Sequence, residues 1–185
     1  MASAGASRPD ERARILDVFD SVASDITTEL AYVFSDPNEA VRRSAFRLAE
    51  RLNTDEVISL LTELAENEDA QLAVFAINTL GKLRPPGLAA TLSKIAGNLD
   101  DPEVIVTVCR VMGQLGDPAS IEPLAQFVTA KRRLLRRKTY ETPVRVAAAY
   151  ALAQMPDRRA DTILQALKDD SDARVRQVVN RYRNE

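Results

Sequence analysis

Four groups of residues carry the charge or reactivity that chemistry needs. They are the basic run Lys131-Arg132-Arg133-Leu134-Leu135-Arg136-Arg137-Lys138, the carboxylate pairs Asp100-Asp101 and Asp169-Asp170, the single cysteine Cys109, and arginines four apart at Arg43, Arg47 and Arg51. Six positive charges in eight residues suit recognition of carboxylates or phosphates, and Leu134 and Leu135 would set an apolar anchor between two arginine pairs. Adjacent carboxylates can do general acid and base work, yet both pairs fall at expected turns, where solvated helix ends are the plainer reading. A cysteine becomes nucleophilic beside a base or cation; Cys109 has no recognisable base and sits at a mostly apolar position. The chain has no His, which removes the commonest general base and any imidazole ligand. A Gly-rich phosphate loop and a Cys pair for zinc are also missing. The expectation is a chain with no catalytic residues, no metal and no cofactor, and therefore not an enzyme.

The elements that would position these groups are helices. Of 185 residues, 45% are hydrophobic and 28% charged, with only six Gly and no Trp, a composition that suits a globular all-α chain better than a sandwich or barrel. The formal net charge of −2 gives no general attraction to nucleic acid or anionic membrane. A lone cysteine cannot form an intrachain disulfide and fits a reducing compartment. Arg8, Asp10, Glu11, Arg12 and Arg14 interrupt any apolar leader, and no run is long enough for a membrane span, so the expected location is cytoplasmic.

Residues 1–9 read as a disordered tail. From Asp10 a helical stripe follows, with Ile15, Val18, Phe19, Val22, Ile26, Leu30 and Val33 recurring every three or four residues. It is best divided into a leading helix over 10–22 and a second from about 25 to 35. Thereafter two columns repeat. Val41, Leu72, Val104, Val144 and Val175 each open a second helix, at separations of 31, 32, 40 and 31 residues. Leu30/Val33, Leu61/Leu64, Leu92/Ile95, Leu124/Phe127 and Leu164/Leu167 mark the first helices. A period in the low thirties made of two helices signifies a solenoid, in which each unit buries its apolar face against its neighbours. Units are expected at 23–53, 54–84, 85–116, 117–156 and 157–185, with helix 10–22 covering the open end of the first. Asn38, Asp69, Asp101, Glu141 and Asp172 stand three residues before the anchors, where a side-chain oxygen caps the second helix. Thr142 is a further capping candidate, and the alanine-rich stripe of 142–155 suits a helix packed on both sides.

The stretches Asp36-Pro37-Asn38-Glu39-Ala40-Val41-Arg42-Arg43-Ser44-Ala45, Val144-Arg145-Val146-Ala147-Ala148-Ala149-Tyr150-Ala151-Leu152 and Asp172-Ala173-Arg174-Val175-Arg176 resemble the HEAT repeat, and more narrowly the short bacterial repeat of phycobilisome lyase-like proteins. The resemblance implies a right-handed superhelix of paired helices. It also implies a ladder in which Arg42, Arg145 and Arg176 reach the capping acids of adjacent units. Iron-binding hydroxylases built on HEAT repeats hold their metal with His-Glu pairs, which this sequence cannot supply.

The 40-residue separation places about eight extra residues inside one unit, and the basic run fills them. Removing its six charges from the net −2 leaves the remainder at −8. Complementing a helix dipole takes only one or two charges, so the run reads as a docking element for an acidic protein partner, assisted by the Arg43, Arg47 and Arg51 face. Arg174, Arg176, Arg181 and Arg183 form a further basic area. The expected function is a non-enzymatic interaction scaffold or adaptor. The alternatives are a bilin lyase or chaperone-like subunit, implied by the resemblance, and phosphate binding to nucleic acid.

Overall fold

Polar residues at the chain breaks set the helix starts. The computed structural model describes residues 26–129 and 140–182, and the backbone alone of 131–133 and 136–138. The expected tail 1–9 and helix 10–22 lie outside the described residues, as do Leu134, Leu135 and Arg183. The helices are α1 (26–34), α2 (Glu39–Leu52), α3 (Asp55–Ala65), α4 (Ala70–Leu83), α5 (Leu88–Asn98), α6 (Pro102–Leu115), α7 (Ile121–Val128), α8 (Thr142–Ala153), α9 (Arg158–Ala166) and α10 (Ala173–Tyr182). A 3-10 turn, Pro118–Ser120, leads into α7, and the short strands β1 (Lys131–Arg133) and β2 (Arg136–Lys138) lie between α7 and α8. The chain divides within α3 into a unit ending at Leu60 and a unit beginning at Leu61.

In the first unit, Asp36-Pro37-Asn38 turns the chain. Asp36 Oδ1 accepts the Asn38 amide at 2.7 Å and Asn38 Oδ1 accepts the Ala40 amide at 2.9 Å, so the break supplies its own cap. Leu30, Phe34, Ala45, Phe46 and Ala49 are buried, and the Phe34 and Phe46 rings stack with centroids 4.3 Å apart. Asn53, with φ of 46°, closes α2 by returning its amide to the Ala49 carbonyl, a left-handed position that asparagine tolerates better than most residues. One expectation fails here: the anchor Val41 is 37% exposed and Leu48, a helical step of seven further on, is 42% exposed.

In the second unit, the second helices stack in sequence, α6 against α4, α8 against α6 and α10 against α8, while α5 packs on α6, α7 on α8, and α9 on α8 and α7. Here the anchors Leu72, Val104, Val144 and Val175 are all buried. Glycine permits the close approach. A Cβ on Gly113 of α6 would lie 2.9 Å from the Ala151 Cα of α8, and one on Gly81 of α4 would lie 2.7 Å from Val111 Cγ1 of α6. The stripe Val144, Ala148, Ala151, Leu152 and Met155 is buried throughout, as a helix flanked on both sides requires.

The capping column has one exception. Asp69 accepts the Gln71 and Leu72 amides, Asp101 those of Glu103 and Val104, and Asp172 that of Arg174, at 2.8–3.3 Å. Glu141 makes no side-chain cap, and Thr142 lies inside α8 as its first residue. Rather than capping, the Thr142 hydroxyl donates to Asp172 Oδ2, because that carboxylate is brought against the start of α8 by α10.

The arginine ladder also needs correction. Arg42 donates to the Asp36 and Pro37 carbonyls and Arg176 to the Asp170 and Ser171 carbonyls, each within its own turn. Arg145 does reach across, donating to Asp170 rather than to the capping Asp172, and to the Val128 carbonyl. A turn whose carbonyls face back toward the helix start offers these arginines a nearer acceptor than a neighbouring carboxylate.

Candidate functional site

The basic run occupies neither a helix nor a simple extension of one. Its backbone forms an antiparallel pair in which Lys131 faces Lys138, Arg132 faces Arg137 and Arg133 faces Arg136. Every cross-strand pair is therefore like-charged. At its base, Phe127 near the end of α7 meets Tyr140, which precedes α8, edge to face with centroids 5.0 Å apart. The two ends of the insertion are thus held together by an aromatic contact.

The start of α8 is fixed from the other side. Arg145 is 8% exposed and pairs with Asp170, both side chains being about nine-tenths buried. Asp170 Oδ1 also accepts the Asp172 amide at 2.8 Å. The expectation that Asp169-Asp170 is a solvated helix end therefore holds for Asp169 alone, whose side chain is 85% exposed. The Thr142 hydroxyl, and after it the Arg174 amide, hold the Asp172 carboxyl below its ordinary range.

One turn into α8 a groove opens between α8 and α10, with a volume of about 350 Å³. Val146, Tyr150 and Ala153 line it from α8, and Arg174, Gln177, Val178 and Arg181 from α10. Tyr150 is 53% exposed. At one end, Tyr182 donates its hydroxyl to Asp161 Oδ1 at 2.7 Å, a bond that raises the phenol above its usual range. The groove thus combines an aliphatic and aromatic floor with guanidinium and amide groups, a lining that suits a segment bearing both carboxylate and apolar side chains. Sequence reasoning identified Arg174 and Arg181 as basic but missed Val146, Tyr150 and Val178, because only the pairing of α8 with α10 brings them together.

The remaining candidates lie on other elements. Arg43, Arg47 and Arg51 are exposed on α2 in the first unit; Arg43 pairs with Glu39 at 2.6 Å and Arg47 donates to Ser44 Oγ at 3.0 Å. Cys109 is fully buried, and desolvation pushes its thiol up to about 12. Among the described residues, no three His, Cys, Asp or Glu side chains are grouped so as to hold a metal ion, and no helix is long and apolar enough to cross a membrane.

A family model described as HEAT repeats matches residues 26–104 and 64–142, and one described as the PBS lyase HEAT-like repeat matches 144–170. The chain is similar in structure to human deoxyhypusine hydroxylase in complex with glycerol, at 18% sequence identity and a TM-score of 0.58. The match covers 86% of this chain but only 62% of the hydroxylase. No curated protein sequence matches the chain. The expectation that the chain is not an enzyme is overturned by the structural likeness: the same helical architecture carries a hydroxylase, so the fold does not set this chain apart from catalytic proteins.

Proposed function

We propose, since this chain belongs to the HEAT-repeat family, that it is a helical-repeat scaffold that binds another protein by an acidic segment. The segment is gripped by the ribbon Lys131–Lys138 and laid into the groove between α8 and α10. The observation that carries this reading is the register of the ribbon, which sets Lys131 against Lys138, Arg132 against Arg137 and Arg133 against Arg136. Like charges directly opposite are destabilising, and two strands alone are marginal in water. Carboxylates from a partner relieve that repulsion as they bind.

The groove supports the same class of partner. Val146, Tyr150 and Val178 offer apolar surface beside Arg174 and Gln177, so a peptide alternating acidic and aliphatic residues finds both of its requirements met. A long polyanion fits less well, because the charge outside the ribbon is −8 and repels extended phosphate chains.

The test is fluorescence anisotropy of the full chain with a labelled peptide of alternating Glu and Leu, compared with labelled single-stranded DNA. Wild type should prefer the peptide. Changing Arg132, Arg133, Arg136 and Arg137 together to Glu should weaken it by at least about tenfold, and Tyr150→Ala by about threefold or more. Unchanged peptide affinity after the charge reversal would remove the ribbon from the interface. Tighter DNA binding that falls steeply with salt would replace the protein partner by a phosphate backbone.

A further inference from the structure

Among the described residues of the first unit, an apolar groove runs along α1 and α2. It has a volume of about 470 Å³ and is lined by Ile26, Leu30, Val33, Val41, Ala45 and Leu48, with Glu29 at its edge. The same helical positions are covered in the second unit. Val104 and Val111 of α6, and Val144 and Ala151 of α8, are no more than 2% exposed, and Val111 and Ala151 press on Gly81 and Gly113 of the preceding second helix. Val41 and Leu48 are the corresponding pair in α2, yet they are 37% and 42% exposed. This face is therefore of the kind that elsewhere in the chain receives a neighbouring helix.

We infer that its occupant is the chain's own segment Asp10–Val22, docked as a helix against α1 and α2. The segment carries Ile15, Val18, Phe19 and Val22 at helical spacing, and as a helix it would be about 20 Å long. It ends only a few residues before Ile26, the first residue lining the groove. So short a tether gives an effective concentration in the millimolar range. Arg12 and Arg14 of the segment are complementary in sign to Glu29. A second copy of the chain would have to displace this tethered helix.

The test uses the full chain and thiol labelling, with buried Cys109 as an internal control. Leu48→Cys should react with a maleimide at least about tenfold more slowly than a free thiol. Adding Phe19→Asp and Val22→Asp should restore the free rate while Cys109 stays unlabelled. Val41→Cys provides the same readout if the first variant does not fold. Free-thiol rates in both backgrounds would show an open groove and overturn the inference. Protection that vanishes on dilution would also overturn it, in favour of a second copy. Binding of the Glu-Leu peptide should be unaffected by Phe19→Asp and Val22→Asp, so this inference and the proposed function fail separately.

Discussion

Arg145 and Asp170 are the residues whose roles depend most on their neighbours. Each is buried and each is the other's main counter-charge, so Arg145→Ala leaves a carboxylate stranded and should lower stability by about 3 kcal/mol. Urea unfolding would measure it, and combining Arg145→Met with Asp170→Leu should recover most of the loss. Asp172 gives a pH-dependent counterpart. Its folded carboxyl is held low, chiefly by Thr142, so the stabilisation is complete above about pH 4 and is lost as pH falls through the depressed folded value. Thr142→Val should therefore be less stable than wild type near neutrality, and the gap should close on acidification; a gap constant with pH would show that the hydroxyl does not act through the carboxylate. Cys109 was legible from its column of apolar equivalents. Asp170 was not, because its pairing depends on α10 bringing the preceding turn against α8, and nothing local marks it.

At the scale of elements, the helices followed from two columns of apolar residues and from Asp and Asn at the breaks. The close approach of second helices rests on Gly81 and Gly113, which the apolar pattern does not reveal. Gly113→Ala places a methyl against the α8 backbone, and overpacking of about 1–3 kcal/mol outweighs a helix-propensity gain of about 1 kcal/mol. Gly97→Ala in α5 meets nothing within 4 Å and should be neutral or stabilising by up to about 1 kcal/mol. Opposite shifts of the two thermal midpoints would support this packing; equal shifts would contradict it. The ribbon was legible only as an insertion. Its residues show no alternation of apolar and polar side chains, the pattern that normally announces a strand, and its pairing comes from bringing its two ends together at Phe127 and Tyr140.

At the scale of the whole molecule, an acidic remainder carries one concentrated basic element, and the charge asymmetry was plain in the sequence. The groove between α8 and α10 was not, since Val146, Tyr150, Arg174 and Val178 come from helices whose pairing no local pattern records. The central claim is that one acidic segment engages both. Hydrogen exchange of the full chain with and without the Glu-Leu peptide tests it most directly. Slowed exchange confined to the amides of 131–138 and of α8 and α10 along the groove is the predicted result. Slowed exchange on α2 beside Arg43, Arg47 and Arg51, with the ribbon and groove unchanged, would contradict the account.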